Sequence, residues 1–181
     1  KSFDSVTGPL TVTALLRDKN PVAYVAVDGV DADGRGDEAH PFKTVKFAVA
    51  SFDGAGGTVF VNPGMYSWSG QVELTAPVVV LGTTGNPDDV VLYNEGSRKT
   101  SDGNRFFRLN HAKAFVSGMT FKDGCMQANY ADGGCIRIDS DGGCVSNCVF
   151  VNGKAMHFNC ISGGAAIFAG LVMKLRSRTV R

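Results

Sequence analysis

One segment of the chain is repeated in full and without a gap. Residues 107–124 read FRLNHAKAFVSGMTFKDG and residues 136–153 read IRIDSDGGCVSNCVFVNG, so every position is displaced by 29 residues. Arg108 therefore aligns with Arg137. A fixed period between about 20 and 50 residues is typical of folds built from stacked repeats. The repeat constrains the fold strongly and says much less about function.

Each copy shows the two-residue alternation of short β-strands. Apolar and polar residues alternate around Phe107 and Leu109, and again around Ile136 and Ile138. The apolar runs are short and are separated by Gly, Asn, Asp and Ser, which leaves no segment suited to a crossover helix. Units this small cannot bury an apolar row alone, so successive copies have to stack. The sequence therefore predicts an all-β fold, a parallel β-helix or solenoid.

The corners of this predicted fold fall at equivalent positions of the two copies. Gly118 and Asn147 align with one another in the repeat. Gly and Asn are the residues for which a left-handed backbone costs least. We therefore expect a corner between two strands at both positions.

Further segments carry a resemblance to a known group of proteins. They are Tyr24–Gly29 (YVAVDG), Pro41–Val45 (PFKTV), Gly57–Tyr66 (GTVFVNPGMY), Pro77–Gly82 (PVVVLG) and Asp88–Leu92 (DDVVL). With the repeat, they make the chain resemble a right-handed parallel β-helix of the pectin-lyase-like superfamily over most of its length. That superfamily includes lyases, hydrolases and adhesin passengers, so the resemblance implies a fold and leaves the activity open.

The length of 181 residues favours a single β-helix domain. We expect residues 1–21 to form a lead-in and residues 22–57 to form a strand, a loop and a capping helix. Residues 58–174 would form the β-helix coils, and residues 175–181 an irregular tail. The basic residues of this tail replace an expected apolar strand, so the chain is interpreted either as a fragment of a longer β-helix, which we favour, or as having an edge blunted by charge.

The capping helix is predicted over residues 41–52. Pro41 suits the first position of a helix, and Phe42, Val45 and Val49 recur at spacings of three and four residues. In a solenoid, such a helix would cover the open end of the apolar core.

Composition and charge exclude some functions. The net charge of +1 gives no basic surface, so nucleic acid is not an expected partner. No apolar run reaches about 18 residues, so no transmembrane helix is expected. The resemblance implies a bacterial protein that is extracellular or on the cell surface.

The cysteines leave two interpretations open. They lie at positions 125, 135, 144, 148 and 160 and include no C-x-x-C pair. One interpretation treats them as small apolar residues in stacked rows, and the other pairs Cys125 with Cys135 in a disulfide.

The best candidate site is a polar patch on the outward side of the repeat. The repeat places Arg137 over Arg108 and Asp139 over Asn110, with His111 and Asp141 nearby. In enzymes of the superfamily, carboxylates hold calcium or act as acid and base, and an Arg or Lys takes a proton. The resemblance therefore implies catalytic roles for Arg137, Asp139 and Asp141. Substrate-binding roles are assigned to Arg108, Asn110, His111 and Trp68. The alternative is an outward Arg ladder neutralised by Asp and Asn, with no function.

Two further features have two interpretations each. The spacing of Asp31, Asp33 and Asp37 resembles that of calcium loops, but the same segment can be simply a loop. Trp68 lies in a turn-like segment, where it could stack on a sugar or pack against the capping helix.

Two functions follow from these features. The first is a secreted or cell-surface scaffold, an adhesin or passenger or a glycan-interacting domain, since the superfamily's catalytic motifs are missing. The alternative is a polysaccharide lyase or glycoside hydrolase that acts on uronate-rich polysaccharide. In both, the expected partner is a polysaccharide or a cell-surface glycan.

Overall fold

The computed structural model describes residues 20–68, 70–94, 105–127, 132–139, 142–156 and 166–169. In these ranges the chain is all-β apart from a single short helix. The elements are β1 (Val22–Val25), α1 (Val45–Ala50), β2 (Gly57–Val61), β3 (Gly64–Ser67), β4 (Val72–Leu74), β5 (Val78–Gly82), β6 (Val90–Tyr93), β7 (Phe107–Leu109), β8 (Phe115–Lys122), β9 (Cys125–Gln127), β10 (Ile136–Ile138), β11 (Cys144–Val151), β12 (Lys154–Met156) and β13 (Ile167–Ala169).

The strands form three sheets, and every pairing between these strands is parallel. The largest sheet has the order β1-β2-β5-β8-β6-β3, with β11 also paired to β8. The second has the order β13-β10-β7-β4, and the third pairs β12 with β9. Strand β8 pairs with β5 through its first half and with β6 through its second half, so the large sheet curls. The arrangement is compatible with a parallel β-solenoid.

The repeat appears directly in the strand register. Arg137 lies opposite Arg108, and Val145 lies opposite Val116, each pair 29 residues apart. The predicted corners are confirmed, since Gly118 has a φ of 75° within β8 and Asn147 has a φ of 47° within β11. The chain therefore returns to the same sheet at the same register after one repeat.

The apolar core lies between the sheets and is built from the inward members of each alternation. Phe106, Phe107 and Phe121 are fully buried, as are Leu74 and Leu109. Burying one such side chain contributes about 1.5–3 kcal/mol relative to leaving it exposed. These rows are therefore the main source of the fold's stability.

The core is less complete at β11, whose strand partner among the described residues is β8. Val116, Met119 and Phe121 of β8 are fully buried. The residues opposite them, Val145, Cys148 and Phe150, are only partly buried.

The helix is confirmed, but the prediction that it begins at Pro41 is wrong. It begins after Thr44, the N-cap residue, whose backbone is extended. The Thr44 Oγ1 accepts a hydrogen bond from the amide of Phe47 at 3.2 Å. The reason is that Phe42 is already used in strand pairing, because it bridges Val25 at the edge of β1. The buried helix residues are Val45 and Ala48, and the helix packs against β1, β2 and β4, near one end of the core.

The predicted lead-in falls almost wholly outside the described residues, as does the predicted tail over 175–181. The division of the chain into a single β-helix domain stays a prediction.

Candidate functional site

A row of outward-facing side chains crosses the four-stranded sheet. Glu73 on β4 lies opposite Arg108 on β7, Arg108 lies opposite Arg137 on β10, and Arg137 lies opposite Phe168 on β13. They face outward because they alternate with buried residues such as Leu109. The predicted stacking of the two arginines is therefore present, with neighbouring strands about 4.8 Å apart.

Asp139, the residue after β10, links the two arginines. The Nε of Arg108 donates to its Oδ2 at 2.6 Å, and the Nε of Arg137 donates to its Oδ1 at 2.6 Å. The Asp139 side chain is 11% exposed, whereas those of Arg108 and Arg137 are 35% and 32% exposed. Both oxygens of one mostly buried carboxylate are thus engaged by a guanidinium group.

The ionisation of these groups follows from this geometry. Burial alone would raise the pKa of Asp139, but the hydrogen bonds from Arg137 and Arg108 outweigh it and hold that pKa below its ordinary value. Hydrogen bonds to Glu73 and Asp139 raise the pKa of Arg108. At neutral pH, Asp139 is therefore a carboxylate and Arg108 a cation, which suits an electrostatic role better than proton transfer.

Near this row lies a buried arginine, Arg105, that was not predicted from the sequence. Arg105 is 3% exposed and donates from Nη1 to Oε1 of Gln71 at 2.7 Å. Its Nε donates to the carbonyl oxygen of Gly133 at 2.8 Å, and its Nη2 donates to the carbonyl oxygen of Asp132. Burial, with the nearby positive charges of Arg137 and Arg108, lowers the pKa of Arg105 to about 10.

Arg105 therefore fixes the start of β10 from beneath the exposed row. In the repeat it aligns with Gly134, so the 29-residue comparison gives no arginine at the second position to draw attention to it. One signal in the sequence could have indicated Arg105. It directly precedes Phe106 and Phe107, which are both core residues.

Other predicted site residues take smaller parts. The backbone amide of Asn110 donates to the carbonyl oxygen of Leu74 at 3.0 Å, which places it at the end of the sheet next to Asp139. His111 Nδ1 accepts from the amide of Lys113 at 3.1 Å, a local contact within a turn. Asp141 lies outside the described residues.

Trp68 is 9% exposed, so most of its ring lies in the core. It packs against Phe106 and Phe107 at centroid distances of 5.6 and 5.3 Å. Its Nε1 donates to the carbonyl oxygen of Gly70 at 2.6 Å. Trp68 is not a member of the outward-facing row, and it lines a cleft with residues at the start of the helix.

The residues of the predicted calcium loop are exposed, and two of them have other partners. Asp31 Oδ1 accepts from the amides of Lys43 and Thr44 at 2.9 and 3.0 Å, and its Oδ2 accepts from Thr44 Oγ1 at 2.8 Å. Asp37 Oδ1 accepts from the amide of His40 at 2.6 Å. Over the described ranges, no group of three or more His, Cys, Asp or Glu side chains is arranged to hold a metal ion. Calcium binding stays a prediction.

None of the four cysteines in the described ranges forms a disulfide. Cys125 and Cys135 are buried, and burial is the main reason that the pKa of Cys135 rises to about 12. Cys148 is half-buried opposite Met119, whereas Cys144 is exposed opposite Phe115. The interpretation as small apolar residues, rather than as a disulfide pair, therefore fits Cys125 and Cys135.

The arginine row has unused binding capacity. Neither Nη group of Arg137, nor the Nη2 of Arg108, has a hydrogen-bond partner within the described parts of the chain. The guanidinium group of Arg137 lies over the Phe168 ring, with its carbon 5.9 Å from the ring centroid. Guanidinium donors beside an aromatic ring suit a planar anion such as a carboxylate, carried on a ring with an apolar face.

Comparison of the chain with models of known protein families, with curated proteins and with solved structures found no match. None of the helical structure in the described ranges is long and apolar enough to cross a membrane.

Proposed function

We propose that this chain is a right-handed parallel β-helix of the pectin-lyase-like type that serves as a secreted or cell-surface scaffold and binds an acidic glycan. The fold part of the proposal is supported by the parallel sheets and by the return of the chain to the same register after 29 residues. The resemblance described above supports the location.

The observation that carries the binding function is the pair Arg108 and Arg137. Their guanidinium groups lie side by side on adjacent strands, and Asp139 holds both by their Nε atoms. Because the Nε hydrogen bonds hold each side chain in place, the Nη donors are already oriented before a ligand binds. This reduces the entropy lost on binding. A sugar carboxylate or sulfate would accept from these donors, and Phe168 would offer a face to its ring.

The enzymatic alternative has less support. An acid catalyst needs a raised pKa, and the arginines lower the pKa of Asp139. Among the two exposed arginines, Arg108 has a raised pKa, which makes it a poorer proton acceptor. We therefore favour binding without turnover.

The test is binding of the purified chain to immobilised polygalacturonate, alginate and chondroitin sulfate, with dextran as the neutral comparison. We expect retention on at least one acidic polymer and none on dextran, with Arg137→Gln weakening binding by about tenfold. Lys122→Gln is the matched control, since it removes the same charge from an exposed position on β8 in another sheet. It should bind as the wild type does.

Retention that is equal for dextran, or equal loss in both variants, would refute a site on the arginine row. Unsaturated or shortened products that appear with the wild type and vanish in Asp139→Ala would establish the enzymatic alternative instead.

A further inference from the structure

A second concave feature lies apart from the arginine row, at the side of the helix. It is a cleft of about 80 Å³ between the start of α1 and the end of β3. About 10–15 Å³ of such space suffices for one water molecule, so this cleft is several times larger than a water site. Its lining residues are Lys43, Thr44, Val45, Lys46, Tyr66, Ser67 and Trp68.

The charged groups of the cleft are all of one sign. Lys43 and Lys46 are exposed, and neither ammonium group forms an ion pair or hydrogen bond with any residue that the structure describes. The carboxylate of Asp31 is directed at the backbone amides of Lys43 and Thr44 and at the Thr44 hydroxyl. Two cations thus line one cleft, and neither has a partner among the described residues.

The remaining polar atoms of the cleft are mostly used within the protein. The Tyr66 hydroxyl donates to the carbonyl oxygen of Asn62 at 2.7 Å, and the Trp68 indole nitrogen donates to that of Gly70. The Thr44 hydroxyl both donates to Asp31 and accepts from Phe47.

The groups left for a ligand are therefore the two ammonium groups, the exposed Ser67 hydroxyl, and the small part of Trp68 that stays accessible, 9% of the residue. We propose that this cleft binds a small organic anion, whose charged group lies between Lys43 and Lys46 and whose apolar part lies against Trp68. The ammonium groups would supply the attraction, and the indole would supply the apolar contact. The site shares no residue with the arginine row, so it does not depend on the glycan proposal.

Trp68 makes the proposal directly measurable, because it is the single tryptophan of the chain. We would titrate the whole chain at low salt with cyclohexanecarboxylate, which does not absorb where tryptophan is excited, and follow Trp68 fluorescence. We expect a saturable change with a Kd of about 1–10 mM, in the range of a ligand with few atoms. Cyclohexylmethanol, the neutral analogue, should bind at least about tenfold more weakly.

Substitutions of the two lysines then test whether their ammonium groups bind the anion. Lys43→Gln and Lys46→Gln should each weaken binding by about threefold to tenfold, and Lys46→Arg should keep most of it. Lys113→Gln removes an exposed lysine from a turn after β7 and should bind as the wild type does. Thermal unfolding at unchanged temperature shows that each variant is folded, which is expected because neither lysine side chain takes part in a hydrogen bond with a described residue.

Equal affinity for the neutral analogue would overturn the proposal, and so would equal weakening by Lys113→Gln. Wild-type affinity in both glutamine variants at the cleft would overturn it as well, as would the lack of any fluorescence change up to about 50 mM ligand.

Discussion

Arg108 and Arg137 lie opposite each other on neighbouring parallel strands and donate their Nε atoms to the same carboxylate. Two cations about one strand spacing apart repel each other unless a counter-charge lies between them. Asp139 provides that charge and is the most buried member of the three. The arrangement of the two exposed arginines therefore depends on a residue that is itself mostly buried.

Removing that counter-charge should destabilise the fold. We expect Asp139→Asn to lower the free energy of unfolding by about 1–3 kcal/mol, because the amide keeps only one acceptor oxygen for two guanidinium donors and the arginines then repel. Glu73→Gln, which alters a 44% exposed partner of Arg108, should cost less than about 1 kcal/mol. Urea unfolding followed by circular dichroism measures both. Equal losses would show that burial of Asp139 does not matter.

The Asp139 carboxylate should also make the free energy of unfolding depend on pH. Its pKa is lowered in the folded chain from an ordinary value of 3.8, so the unfolded state binds the proton more readily. The stabilisation is complete above pH 3.8 and is lost as the pH falls through the folded pKa. The difference in stability between wild type and Asp139→Asn should therefore stay level from about pH 7 to about pH 5 and shrink as the pH falls from about 5 to about 2.

Asp37 has a pKa lowered chiefly by its hydrogen bond from the amide of His40, and it acts in the same direction. Comparison with Asp139→Asn cancels this contribution, because both proteins retain Asp37. A stability difference that stays constant with pH would contradict the assignment to Asp139.

The stacked phenylalanines allow a matched test of the core. Phe121 and Phe150 lie opposite each other with stacked rings 5.3 Å apart, but Phe121 is fully buried and Phe150 only partly. We expect Phe121→Ala to cost about 3–5 kcal/mol and Phe150→Ala clearly less, since a cavity forms only at the first. Denaturant unfolding gives both values. A larger cost at Phe150 would mean that β11 lies deeper in the core than described.

Asp31 distinguishes a structural carboxylate from a calcium ligand. We expect Asp31→Ala to cost about 1–2 kcal/mol, comparable with the loss of a helix cap, because three hydrogen bonds to Lys43 and Thr44 disappear. The cost should be the same in EDTA and in millimolar calcium. Thermal unfolding in both buffers checks it, with Asp33→Ala as the control. A calcium-dependent stabilisation that either substitution abolishes would restore the calcium loop.

The parts of the fold that depend on local pattern could be predicted from the sequence. The 29-residue repeat predicted that Arg108 and Arg137 would stack, and the strand register confirms it. The short helix was predicted in kind but not in its start, because the pairing of Phe42 with Val25 is a contact between distant residues. The right-handed winding and the superfamily stay predictions.

The candidate site could be predicted only in outline. Alternation identifies which residues point outward, and a repeat identifies which residues are neighbours across strands. Neither the alternation nor the repeat identifies the carboxylate to which a guanidinium group donates its hydrogen bonds. For Trp68, a sugar-stacking role and packing against the capping helix were both open; its ring packs against Phe106 and Phe107, since its environment is set by strands that are distant in sequence.

The sequence by itself determined the period, the strands and the facing of their side chains, because these follow from backbone geometry that repeats every two residues and every turn of chain. Only the tertiary structure decided that Asp139 would bridge two arginines, that Arg105 would be buried, and that Asp31 would bind the start of the helix. Those outcomes depend on side-chain hydrogen bonds between segments that folding brings together. The pattern of a single chain does not encode which of several possible partners lies within about 3 Å.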